Sequence, residues 1–144
     1  TFFGQCKKAA KFRNCIAQGD VGTYNGGDCI MTGVNAVTLG GSLYWVDMVG
    51  NRTAPVICGP RRVVLLAGRN KIVDTQADAE RRVQQIAGPK NVARHTGFRT
   101  PCAVTGLCAD CNSPQRICNS RVRLARCYPA GRILVLLIDE EAGL

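Results

Sequence analysis

Histidine is nearly absent from this sequence; His95 is the only one. With a single candidate base and no Gly-x-Ser-x-Gly elbow, a hydrolase of the Ser/His/Asp kind has no support. A Gly-x-Gly-x-x-Gly dinucleotide fingerprint is missing, and so is a Walker A loop. Aromatic residues make up only 6% of the chain, which leaves few platforms on which bases of a nucleic acid would stack. Long apolar runs are missing too. The longest, 63–68 and 133–138, fall far short of the ~20 residues that span a bilayer. Acidic residues are outnumbered, 10 against 19 Lys and Arg. No signal peptide is visible, and the first residue is Thr1 rather than an initiator Met, so the sequence reads as one with a segment removed upstream.

What remains is a basic chain of 144 residues with a formal charge of +9, one domain in length and long enough to bury a core without staples. Its field favours an anionic partner: nucleic acid, lipid headgroup, phosphorylated metabolite or acidic protein. A solvated basic surface is the plainer alternative. Nine cysteines are an odd number for a chain larger than most disulfide scaffolds, so free thiols in a reducing cytoplasm are expected. Cys29 and Cys58 stand in apolar or tight surroundings and are expected to act as small hydrophobes.

Four of the cysteines, Cys102, Cys108, Cys111 and Cys118, fall within 17 residues in the pattern C-x5-C-x2-C-x6-C. The C-x2-C pair can turn onto one metal in a single knuckle, and the flanking thiols can complete a tetrahedral set. Thr105, Gly106, Asn112, Ser113 and Pro114 are turn formers that let the segment fold around a centre. The spacing is neither that of the paired-CxxC zinc ribbon nor that of the ferredoxins. Structural zinc and a [4Fe–4S] cluster both remain open, with four free thiols in a loop as the bland reading. Arg116 and Arg121 flank the run and would offset thiolate charge.

Along the chain, 6–17 reads as a short helix and 19–27 as a loop. A strand ends at Gly33. A hairpin follows over 37–49, turning at Leu39, Gly40, Gly41 and Ser42. Asn51 or Thr53 caps a short helical turn with Pro55 early in it, stopped by Gly59 and Pro60. The run 62–68 reads as a fully buried parallel strand. A helix starts around Asp74–Asp78 with acids in its first turn, runs over 76–87 on the apolar stripe Ala79, Val83, Ile86 and Ala87, and is closed by Gly88 and Pro89. The run 132–138 is a second buried strand, expected in the same sheet as the first, with the helix on one face of that sheet. Strand, helix and strand at this spacing imply a right-handed parallel crossover. The fold class is α/β, with the cysteine-rich loop 101–119 inserted before the last strand.

In open α/β sheets the ligand crevice lies outside the carboxyl ends of the strands. Asn35 follows the first strand, Asn70 and Lys71 follow 62–68, and Asn51 and Arg52 stand at a turn. Their amide, ammonium and guanidinium donors suit a small carboxylate or phosphate. The alternative is that they cap turns. Asp139, Glu140 and Glu141 follow the last strand, where paired carboxylates can serve as acid and base but more often form an exposed tail. His95 lies in a loop between Arg94 and Thr96, as expected of a surface histidine.

The elements TGVNAVT (32–38), DMVGNR (47–52), GPRRVV (59–64), GRNKIV (68–73), the cysteine run 101–118 and RILV (132–135) resemble, in order and spacing, the LUD (lactate-utilisation) family over roughly 28–144. The cysteine run resembles a subset of it. The resemblance implies a Rossmann-like three-layer domain with a mostly parallel sheet, similar to the ribose-5-phosphate isomerase and coenzyme A transferase group. It also implies an association with the oxidation of lactate, a 2-hydroxy acid, and no catalytic residue can be carried over. Two departures stand out. Only about 27 residues, basic and Gly-rich, precede the first strand where relatives have a longer helical portion. Gly40-Gly41-Ser42 replaces a more polar turn. An apolar sheet face is then expected to be exposed or buried in a homodimer. Two competing functions are a four-cysteine-knuckle nucleic-acid-binding module, with Arg116, Arg121, Arg123 and Arg126 on phosphates, and an iron–sulfur electron-transfer subunit serving a protein partner.

Overall fold

The structure, a computed structural model, describes residues 29–144; the helix and loop expected over 6–17 and 19–27 lie outside them. Strand β1 (Cys29–Gly33), β4 (Arg62–Gly68) and β7 (Ile133–Ile138) form one fully parallel sheet in the order β1-β4-β7. This is the expected pairing of 62–68 with the last strand. Strand β2 (Ala36–Thr38) and β3 (Leu43–Asp47) form the expected hairpin, closed by the Leu39–Ser42 turn, in which Gly41 has a positive φ of 83°. With β5 (Ile72–Val73) and β6 (Ser120–Leu124) they make a second, mixed sheet in the order β5-β2-β3-β6.

Alternation decides how the sheets pack. Every residue of β3 is buried, and successive side chains of a strand point to opposite faces. Leu43 and Trp45 meet Val63, Leu65 and Ala67 of β4 in the core between the two sheets. Tyr44 and Val46 meet Ala79 and Val83 of the long helix on the other side. The layers are therefore parallel sheet, mixed sheet, helix. The helix was expected on the parallel sheet; it packs on the mixed one, because the hairpin supplies a strand apolar on both faces and comes between them.

Helix α1 (Thr53–Cys58) follows β3. Neither Asn51 nor Thr53 caps it. The Asp47 carboxylate, buried at the end of β3, accepts the Thr53 N–H at 2.7 Å and the Thr53 hydroxyl at 2.6 Å. Helix α2 (Gln76–Arg82) opens with a capping box in which Thr75 and Asp78 exchange hydrogen bonds, as the acids in its first turn suggested. It does not stop at Gly88. Residues Val83–Ala87 widen into a π turn, and the helix continues as α3 (Gly88–Ala93). Pro89 has no N–H and clashes with the carbonyl four residues back, and the wider turn lets the helix pass it. The same turn takes Ile86 off the expected stripe, leaving it 41% exposed.

The cysteine-rich segment begins with α4 (Pro101–Thr105), which ends at Gly106 with φ 71°. The segment leads into β6, a strand that its alternating arginines disguise in the sequence. The run 132–138 is not a fully buried strand. It is an edge of the parallel sheet, with Leu134, Leu136 and Leu137 exposed. Arg132 precedes the strand and is buried beneath α1. It donates to the carbonyls of Pro55, Val56 and Pro60 at 3.1, 2.6 and 2.9 Å. Cys29 and Cys58 are exposed rather than tucked among apolar groups, and all seven cysteines of the described residues are free. Among the described residues no helix is long and apolar enough to cross a membrane.

Candidate functional site

Parallel pairing brings the carboxyl ends of β1, β4 and β7 to one side of the molecule: Gly33 stands opposite Leu66, and Gly68 opposite Ile138. The chain leaves those ends through Asn35, through Asn70 and Lys71, and through the tail 139–143. Arg52 reaches in from the turn before α1. It donates Nη1 to the Gly33 carbonyl at 3.1 Å, and Nη2 to the Asn35 Oδ1 at 3.2 Å and the Val46 carbonyl at 2.7 Å. Its Nε lies 3.3 Å from Asp47 Oδ1, close enough for an ion pair but too poorly angled for a hydrogen bond. Asn35 is thereby occupied, since its Oδ1 also accepts the Val46 N–H at 3.2 Å.

Arg82, which the sequence reading did not single out, completes the group. It is buried, and it donates Nε to the Asn70 carbonyl at 2.8 Å and Nη1 to the Asn35 carbonyl at 2.7 Å. A signal for it existed. Arg82 falls one turn after Ala79 on the helix stripe, where an apolar residue is expected. Burial lowers the pKa of Arg82, and also that of Arg52, where Asp47 opposes the shift.

Lys71 sits among these cations, 5% exposed. Among the described residues its ammonium has neither a hydrogen-bond partner nor an ion pair. Burial, followed by the charges of Arg82 and Arg52, lowers its pKa from 10.5 to about 8. The tail lies over it. Asn70 Oδ1 accepts the Ala142 N–H at 3.2 Å, the Arg69 N–H reaches the Glu140 carbonyl at 3.0 Å, and a Cβ on Gly143 would stand 2.9 Å from Lys71 Nζ. Gly68 allows this approach, because a Cβ there would lie 2.4 Å from Ala142 N.

Four of the five expected polar residues thus meet at the carboxyl edge of the parallel sheet. Asn35, Arg52 and Asn70 spend their side chains holding backbone and one another. Lys71 is left without a hydrogen bond or ion pair among the described residues. Asn51 adjoins Arg52 in the chain, and its side chain takes no hydrogen bond among the described residues. Asp139 faces solvent beside Arg69 at 3.5 Å, and Glu140 and Glu141 are exposed tail residues. His95 is a surface residue set edge-on to Phe98, with ring centroids 6.1 Å apart.

A second site lies on the other side of the mixed sheet. Cys102, Cys108, Cys111 and Cys118 all line one cavity of about 160 Å³, with Tyr44, Val46, Val83, Val92 and Ile117 among its apolar walls. Arg116 organises the loop. It donates to the Cys111 carbonyl at 2.6 Å, the Cys118 carbonyl at 3.3 Å and Cys118 Sγ at 3.4 Å. Arg121, expected beside the thiolates, is drawn instead to Asp110, which also pairs with Arg116 at 3.3 Å. The Asp110 N–H points to Cys108 Sγ at 3.4 Å, and Thr100 Oγ1 lies 3.2 Å from Cys102 Sγ. As they stand, no three His, Cys, Asp or Glu side chains of the described residues are grouped to hold a metal ion.

A family model described as the LUD domain matches residues 24–138. No curated protein and no solved structure matches the chain.

Proposed function

The chain belongs to the LUD domain family, and from that premise we propose that it serves lactate utilisation in the cytoplasm by binding a small anionic metabolite, a 2-hydroxy or 2-oxo acid or a phosphate, at Lys71. The observation that carries the reading is the buried side chain of Lys71, its ammonium beside Arg52 and Arg82 and with no anion from the described residues to balance it. A buried charge is ordinarily paired. A carboxylate or phosphate is the partner whose chemistry answers the Lys71 ammonium in this basic setting, and its place outside the carboxyl ends of parallel strands is where open α/β sheets take ligands. That parallel sheet also supports kinship with the Rossmann-like ribose-5-phosphate isomerase and coenzyme A transferase group.

A ligand screen by thermal unfolding tests this, with lactate, pyruvate, sugar phosphates and nucleotides as probes. A true ligand at a hundred times its dissociation constant stabilises the chain by about 2.7 kcal/mol. The proposal fails if none of these anions raises the midpoint above a chloride control.

A four-thiol centre of zinc or iron and sulfur is the second part of the proposal. It rests on all four clustered cysteines facing one cavity. Elemental analysis of freshly purified, reduced protein tests it. A centre of iron and sulfur would suit an electron-transfer subunit that docks on a protein partner. The nucleic-acid reading draws on Arg121, Arg123 and Arg126, which are exposed on β6 and just beyond it. Tyr128 is the only aromatic residue near them in sequence, so this reading ranks below the metabolite.

A further inference from the structure

We propose that the cavity beneath the cysteine loop holds a [4Fe–4S] cluster rather than a single zinc ion, with Cys102, Cys108, Cys111 and Cys118 as its ligands and with Tyr44 and Arg116 as positioning residues that donate hydrogen bonds to its sulfurs. This rests on the four-thiol reading and assigns its occupant.

The first argument is space. A structural zinc ion is closed over by four sulfurs at about 2.3 Å and needs no chamber around it. Here the thiols border a chamber of about 160 Å³, where roughly 10–15 Å³ already admits a water. The second is the largely apolar wall. Val46, Val83, Val92, Ile117 and Val122 line the walls, and an apolar wall shields a cluster from solvent and tunes it.

The third argument is the pattern of donors. The Asp110 N–H and Arg116 Nη2 already point at the sulfurs of Cys108 and Cys118, each at 3.4 Å. Hydrogen bonds to sulfur are a main means by which a protein sets a cluster's potential.

The fourth argument is the pair of donors left over. Tyr44 is 3% exposed, lines the cavity, and its hydroxyl has no partner among the described residues; Arg116 Nε is in the same position. An orphaned buried hydroxyl is costly and calls for an acceptor. A zinc ion would bring no new acceptor. A cluster brings inorganic sulfide into the chamber that both residues line.

The test uses the full chain, purified without oxygen and offered ferrous and ferric iron in equal amounts with sulfide in one arm and zinc in the other. The expected result is about four iron and four sulfide per chain, a brown colour and retention of the cluster through gel filtration. Cys111→Ser should lose most of the iron, while Cys127→Ser, outside the set, should keep it. Tyr44→Phe should still bind the cluster but with a shifted reduction potential, because one hydrogen bond to sulfur is gone. One zinc per chain that excludes iron would overturn the cluster and leave the four-thiol reading standing. Binding of neither would overturn both. A Tyr44→Phe protein with unchanged potential would overturn the role given to Tyr44.

Discussion

Arg82 Nη1 donates to the Asn35 carbonyl at 2.7 Å, across 47 positions of sequence. The bond ties helix α2 to the loop that leaves β1. It also fixes a guanidinium beside Lys71, whose own charge the same burial disfavours.

Replacing Lys71 separates stability from binding. Lys71→Met removes a buried cation that none of the described residues balances and keeps an apolar stem of similar length. The free protein should gain about 1–3 kcal/mol, as when buried charge gives way to packed hydrophobe. Anion stabilisation should vanish in the same variant. Chemical denaturation with and without the best anion of the screen reads both. A variant less stable than the parent without ligand would show that Lys71 is balanced after all.

The pH dependence has a definite sign. Burial, with the charges of Arg82 and Arg52, lowers the Lys71 pKa to about 8 in the folded chain from its ordinary 10.5. Between these values the unfolded chain binds the extra proton, so stability should rise with pH. The penalty is fully present below about pH 8. Comparison with Lys71→Met isolates this contribution, since the other groups titrate alike in both. Anion affinity should fall as pH rises through about 8. A difference between the two proteins that stays flat from pH 7.5 to about 10.5 would contradict it.

Asp47 caps α1 and faces Arg52. Asp47→Ala should cost about 3–5 kcal/mol, because it strands the Arg52 guanidinium and frees the Thr53 N–H. Asp47→Asn should cost less, since its oxygen can still accept from Thr53. Urea midpoints of the two variants give the order.

Arg132 serves the carbonyls at the end of α1 through a planar fork. A lysine cannot reproduce that fork. Arg132→Lys should destabilise by about 1–3 kcal/mol. An unchanged unfolding midpoint would show that water replaces the guanidinium without loss.

Gly68→Ala places a Cβ 2.4 Å from Ala142 N and 2.7 Å from the Glu140 carbonyl oxygen. The tail must shift. Backbone amides at Ala142 should lose protection in hydrogen exchange, and reagents should reach Lys71 faster. Equal labelling of Lys71 in both proteins would argue against the tail as its cover.

The sequence by itself determined the elements whose cause is local. Short apolar runs and bounding turn residues marked β1, β4 and the hairpin, and Thr75 with Asp78 marked the start of α2. The order of strands also placed Asn35, Asn70 and Lys71 at carboxyl ends, and the resemblance to the LUD family held. What only the tertiary structure decided depends on pairing between distant segments. The arginines of β6 hide a strand because only its pairing with β3 makes alternate exposure tolerable. The apolar run of β7 reads as buried, yet its place at a sheet edge leaves three leucines in solvent. Pro89 reads as a stop, yet packing of the helix on the mixed sheet sustains a π turn through it. Arg82, Arg132 and Asp47 look like surface charges in the sequence. Each is buried because backbone carbonyls, amides or an opposite charge from remote segments meet it there, and no local pattern encodes where those partners will stand.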